Sequence, residues 1–262
     1  MRENKLRKKM QRGELAFGTY VSLADPALVE IIGLAGFDVA FIDMEHGGFD
    51  LLMVENMVRA CDVVGITSMV RVSDNNPKTI LRLLDMGVQA LKVPHIESAE
   101  DARNMVRAVR YSPMGDRSIG GATRATRYGT IERYEHMKNS NEDIVLCVIV
   151  EDMGAVSQIE EIAAIEGLDL IAVGPGDLSQ AMGVTDKNDP RLKETIYGIA
   201  DTLKRVGGAK LSFSVLNPAF PLDAGELSSM GVAYSNVAPS DVDRLMQSYK
   251  EQIKHMQAQL GK

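Results

Sequence analysis

A single (β/α)8 barrel of the TIM type is the α/β fold this sequence predicts, and three observations predict it. Short apolar runs alternate with longer segments of helical periodicity, eight of each, in one unbroken series. No Pro/Ser-rich linker divides residues 1–262, which favours one domain and a closed barrel over a doubly wound open sheet. The length of 262 residues matches the roughly 250 that such a barrel takes.

The strands are expected at 16–21, 39–43, 67–72, 90–94, 144–150, 168–174, 210–216 and 232–237. The second is bounded by Gly36 before it and Gly47-Gly48 after it, and reads as a parallel strand buried on both faces. Helices are expected at 26–35, 51–64, 77–86, 99–109, 154–165, 191–206, 222–230 and 240–260. Asp25-Pro26, Asn76-Pro77, Ser98 and Ser240 supply N-caps or first-turn prolines. Gly36, Gly87 and Gly231 stand where a left-handed C-terminal cap ends a helix.

One connection is too long for an ordinary loop. Residues 111–139 form an Arg/Gly-rich stretch that predicts an extra helix before the fifth strand. With Arg110, Arg117, Arg124 and Arg127 it reads either as a mobile lid or subunit contact that grips anions, or as a region of surface ion pairs.

Composition narrows the function. A net charge of −7 argues against a whole-protein attraction for nucleic acid, despite the basic arm of Arg2, Lys5, Arg7, Lys8, Lys9 and Arg12, which reads as a solvated helix face. No apolar run approaches the length that crosses a bilayer, so no membrane partner is expected. The basic start lacks the apolar segment and cleavage site of a secretory signal, and a cytoplasmic protein is expected. Cys61 and Cys147 are too few for a disulfide framework or a CxxC metal site.

In a barrel of this kind chemistry gathers where the strands end. Here the second strand ends in Asp43, Glu45 and His46, the third carries Arg71, the fifth ends in Glu151 and Asp152, and the sixth runs into Gly174-Pro-Gly-Asp-Leu-Ser179. Taken alone, Asp43 and Glu45 also read as caps for the helix near Asp50, and Arg71 as an interior ion pair. Glu151 and Asp177, from adjacent strands, offer two carboxylates to one hard divalent ion, with water and substrate oxygens completing an octahedron. Gly174-Pro175-Gly176, ahead of Asp177, also offers backbone N–H groups to a carboxylate.

Together Ile42-Asp-Met-Glu-His46, Val70-Arg71, Leu91-Lys-Val-Pro94, Arg110-Tyr-Ser-Pro-Met-Gly-Asp-Arg117, Val150-Glu151 and Val173-Gly-Pro-Gly-Asp-Leu-Ser179 resemble the metal-dependent pyruvate aldolases of the 4-hydroxy-2-oxoheptanedioate aldolase family, to which 2-keto-3-deoxy-L-rhamnonate aldolase and 5-keto-4-deoxy-D-glucarate aldolase are related. The similarity runs from about Gly13 to Leu245. It implies a phosphoenolpyruvate/pyruvate-type barrel that forms a homohexamer, a trimer of dimers or a dimer of trimers, and exchanges its last helix between subunits. It implies a magnesium, manganese or cobalt ion on Glu151 and Asp177, His46 paired with Asp43 as the base, and Arg71 beside the substrate oxygens. Gly176 and Asp177 amides would hold the pyruvate carboxylate. The expected reaction is reversible cleavage of a 4-hydroxy-2-oxo acid to pyruvate, or a close 2-oxo acid, and an aldehyde.

The chain departs from this pattern twice. Ile149 stands two residues before Glu151, where relatives often carry Gln, so a polar substrate contact is lost. Lys92 stands where many relatives have an apolar residue, which raises a Schiff-base amine as an alternative to metal and a structural lysine as the plainer reading. Three other functions fit the same fold: a carbon–carbon lyase acting on a coenzyme A thioester, a phosphosugar isomerase or epimerase, and an oxo-acid-binding barrel without turnover. For the isomerase, Asn217-Pro218 and Ala238-Pro239-Ser240 are the cue to a phosphate site.

Overall fold

The computed structural model describes residues 3–186 and 189–260. Its strands are β1 (Ala16–Val21), β2 (Val39–Asp43), β3 (Thr67–Arg71), β4 (Ala90–Val93), β5 (Val145–Val150), β6 (Leu170–Val173), β7 (Lys210–Ser212) and β8 (Val232–Asn236). The first helices are α1 (Lys5–Arg12), α2 (Pro26–Leu34), α3 (Leu51–Val64), α4 (Pro77–Asp85), α5 (Ala99–Val109) and α6 (Arg133–Asp143). After β5 come α7 (Met153–Ser157), α8 (Ile159–Ala163), α9 (Pro175–Ala181), α10 (Pro190–Val206), α11 (Ala224–Ser229) and α12 (Asp241–Gln259).

Every strand pairs in parallel with its sequence neighbour, and β8 closes on β1 through Ala16↔Tyr234 and Gly18↔Asn236. The (β/α)8 barrel is therefore complete. Each strand splits its side chains by alternation. One set, including Val39, Phe41, Met69, Ala90, Cys147 and Ile149, fills the barrel interior, while Ile42, Val70, Leu91 and Val148 pack outward against the helices. Both cysteines are buried and free.

Several boundaries differ from the sequence reading for local reasons. The helix expected at 154–165 is two short ones, α7 and α8, which meet at Gln158, whose backbone leaves the helical region and whose Oε1 accepts from the Ala99 N–H at 3.1 Å. Strand β7 stops at Ser212 because its register against β8 shifts between Leu211 and Ser212. The expected extra helix is α6.

The basic arm is not simply solvated. Leu6 and Met10 bury against the barrel's N-terminal end, Lys5 and Lys9 pair with Asp38, and Arg7 pairs with Asp169 at 2.6 Å. Arg2 lies outside the described residues. Three of the four arginines singled out there are likewise consumed in ion pairs. Arg110 holds Asp169, Arg117 holds Asp85 and Arg124 holds Asp62. Asp85 closes α4 and Asp169 precedes β6, so Arg117 and Arg110 bind at the end of the barrel opposite the strand C-termini and form no lid over them. Helix α12 is the outlier: Asp241 is its one buried residue.

Candidate active site

The C-terminal rim is assembled from five consecutive strands, β2 to β6. Asp43 is the last residue of β2 and pairs in register with Arg71, the last residue of β3. Both point into the barrel, and the guanidinium forks onto the carboxylate, Nε to Oδ1 at 2.8 Å and Nη2 to Oδ2 at 2.5 Å. Arg71 Nη1 also reaches Glu45 Oε2 at 3.0 Å. Burial pushes the Asp43 carboxyl upward, but the Arg71 hydrogen bonds and charge, with the N–H groups of His46 and Glu45, hold it below the usual carboxylate range.

The turn after β2 needs its glycine. The Gly47 N–H donates to the Asp43 carbonyl at 3.0 Å, and a Cβ on Gly47 would come within 2.2 Å of that oxygen. Within this turn Asp43 Oδ1 accepts the N–H of Glu45 at 3.1 Å and of His46 at 3.4 Å. The expected pairing of Asp43 with the His46 ring is thus replaced. Asp43 holds the His46 main chain and spends its side-chain bonds on Arg71, while the His46 side chain lies exposed at the mouth. Asp50, rather than Asp43 or Glu45, caps α3.

The imidazole drawn into the charge network is one that the sequence reading passed over. His95 follows Pro94 just beyond β4, with a left-handed backbone (φ 56°). Its Nε2 lies 2.7 Å from Glu45 Oε1, and its N–H donates to Glu151 Oε1 at 3.1 Å. Its one sequence signal was position: a titratable side chain directly after a barrel strand. Asp43, Arg71, Glu45, His95 and Glu151 therefore form a continuous polar chain around the rim.

Glu151 follows β5 and is partly buried. Burial raises its carboxyl above the usual range, the negative charges of Asp177 and Glu45 add to this, and the His95 N–H and charge oppose it. Asp177 stands exposed in the first turn of α9, after Gly174 and Gly176; no side chain caps this helix. Ile149 is 4% exposed and lines the interior two residues below Glu151. Lys92 is buried in the interior too, its Nζ 5.1 Å from the centroid of Phe41, a ring that Arg71 also flanks at 5.8 Å.

Among the described residues, no three His, Cys, Asp or Glu side chains stand together as a full ligand set for a metal. Glu151 and Asp177 fit a hard divalent ion nonetheless. They are an all-oxygen pair on adjacent strand ends whose mutual repulsion a cation relieves, and such ions complete their shells with water and substrate oxygens.

Residues 16–215 match the family described as HpcH/HpaI aldolase/citrate lyase. The chain belongs to that family. A hydroxypyruvate/pyruvate aldolase of Pseudomonas aeruginosa is 33% identical over 95% of this chain and 91% of its own. A 5-keto-4-deoxy-D-glucarate aldolase of Klebsiella pneumoniae is 34% identical over 78% of this chain and 79% of its own. Among solved structures, an HpcH/HpaI aldolase/citrate lyase family protein of Burkholderia cenocepacia superposes with a TM-score of 0.87 at 28% identity, covering 97% of this chain and 99% of that one. An HpcH/HpaI-family enzyme of the aldolase type, a carbon–carbon lyase, is the coarse assignment that follows. No helix among the described residues is long and apolar enough to cross a membrane.

Proposed function

We propose that this enzyme cleaves a 4-hydroxy-2-oxo acid reversibly into pyruvate, or a close 2-oxo acid, and an aldehyde, with a divalent cation held by Glu151 and Asp177. The observation that carries the reading is the rim itself, where a half-buried, doubly anchored Arg71 stands in one polar chain with Glu151, whose carboxyl feels the charge of Asp177 in turn. The names of the relatives, aldolases for pyruvate and hydroxypyruvate, support the 2-oxo acid.

Breaking the C3–C4 bond sends its electron pair toward the 2-oxo oxygen, and a magnesium, manganese or cobalt ion supplies Lewis-acid stabilisation of that charge. The side chains do the rest. Arg71 has N–H groups left over after Asp43 and Glu45 are served, and these stabilise the oxyanions that grow as the bond breaks. His46, at the mouth, takes the proton of the C4 hydroxyl as the aldehyde forms and returns it in the aldol direction. The uncapped N–H groups of Gly176 and Asp177 receive the carboxylate of the 2-oxo acid. Ile149 gives the neighbouring wall an apolar surface and favours less polar acceptors.

Helix α12 supports assembly into a homo-oligomer. Leu245, Met246, Tyr249, Ile253, Met256 and Leu260 are all exposed at helical spacing along it, a stripe that calls for cover by a second copy. Exchange of this helix within a hexamer supplies that cover.

Chelation decides between metal and lysine chemistry. Activity should vanish with a chelator and return with magnesium, manganese or cobalt, while borohydride with pyruvate leaves no adduct on Lys92. Chelator-resistant turnover with trapped pyruvate on Lys92 would overturn the assignment.

A further inference from the structure

The two oxygens of Glu151 are not equivalent. Oε1 accepts the His95 N–H at 3.1 Å and lies 3.5 Å from His95 Nδ1. Oε2 lies over Gly174, so closely that a Cβ there would stand 2.8 Å from it, and Gly174 opens the segment that carries Asp177. One oxygen is thus occupied by β4's trailing loop, and the other faces β6.

His95 can make that bond because of its backbone. A φ of 56° is uncommon for a residue with a side chain, and neighbouring contacts must hold it there. The ring reaches Glu45 Oε1 at 2.7 Å, and Glu45 is tied in turn to Arg71. The left-handed backbone aims the N–H, and the ring's contact with Glu45 reinforces it.

We propose that His95 is a positioning residue for the cation site, whose main-chain N–H occupies Oε1 of Glu151 and leaves Oε2 as the single ligating oxygen beside Asp177. The proposal rests on the metal reading given above and deepens it. A ligating carboxylate is oriented by its outer hydrogen bonds, and losing such a partner typically weakens metal binding by about 10- to 100-fold. His95 thereby links the oxyanion-stabilising side of the rim, Arg71 and Glu45, to its metal-holding side.

Two substitutions separate N–H from ring. His95→Asn tolerates the left-handed backbone and keeps the N–H, but cannot span to Glu45 as the imidazole does. His95→Val is β-branched, resists that backbone and moves the N–H. Mn(II) binding, read from the electron paramagnetic resonance signal of the free ion, should weaken about tenfold or more in His95→Val and stay within about threefold in His95→Asn. Melting without metal checks that each variant is folded. If His95→Val does not fold, His95→Ala, disfavoured in the same backbone region, takes its place.

Equal Mn(II) affinity in His95→Val and the unaltered protein overturns the proposal, as does equal weakening by Asn and Val. Glu151→Gln distinguishes this from failure of the metal reading. Uptake lost in Glu151→Gln but normal in His95→Val removes the His95 role alone. Uptake that Glu151→Gln leaves unchanged removes the cation site and the His95 role with it.

Discussion

Asp43 accepts a two-pronged hydrogen bond from Arg71 across neighbouring strands, at 2.8 and 2.5 Å, and gives the His46 ring no bond at all among the described contacts. Arg71 and Asp43 therefore act as a unit. Arg71→Ala should lower turnover by about a hundredfold or more, the size expected when one donor to a growing oxyanion is lost. Asp43→Asn should lose much of the same rate, and the double variant little beyond Arg71→Ala. Rates that multiply independently in this cycle would show that Asp43 works elsewhere.

Ile149 lies in the interior lining, 4% exposed, below Glu151. Ile149→Gln should shift relative rates among polar and apolar aldehydes more than it shifts metal affinity. Competition assays with paired acceptors read this directly, and an unchanged ratio would place the side chain outside substrate contact.

Lys92 packs its stem in the barrel and its Nζ over Phe41. Methionine keeps the stem and removes the amine, so Lys92→Met should fold and retain substantial turnover. Loss of all activity in a folded variant would instead give the amine a chemical role.

Arg110 is 1% exposed and binds Asp169 at 2.6 Å, far from the rim. Asp169 keeps Arg7 and the Leu146 N–H, but the carbonyls of Gly167, Asn141 and Ile144 lose a donor, and Arg110→Ala should cost about 1–3 kcal/mol in urea unfolding. Turnover per folded molecule should not change. A fall in turnover without a fall in stability would contradict this division of labour.

His136 is buried against Tyr111, and burial, then the positive charge of Arg117, pushes its pKa down from 6.5 to about 4. Between these values the unfolded chain binds the extra proton and the folded chain does not. The contribution is complete above pH 6.5 and is lost as pH falls toward 4. Melting temperature should therefore drop across this window, and His136→Gln should flatten the drop. An identical slope in both proteins would assign it to other groups.

Strands such as β2 and β5 were legible because a parallel strand in a closed barrel is buried on both faces and leaves an unbroken apolar run. The rim acids were legible by position. Their partners were not. His46 lies near Asp43 in sequence, yet register places Arg71 opposite it, and register depends on pairing between distant segments. His95 went unseen because its two contacts come from turns that the barrel alone brings together. The α7–α8 break depends on a bond from Ala99 to Gln158, which no local pattern encodes.

The docking of α1 bears on the order in which the chain completes itself. Asn4 bonds to the carbonyls of Gln89 and Asp143, and Arg7 to Asp169, so a segment made ahead of the barrel finds its last partner after five strands have followed. During synthesis the first helix must wait. Chains halted before Asp169 keep an unsealed barrel floor with Leu6 accessible, and protease should cut them readily around α1. Once Asp169 arrives, protection of this helix becomes a clock for assembly of the first five strands.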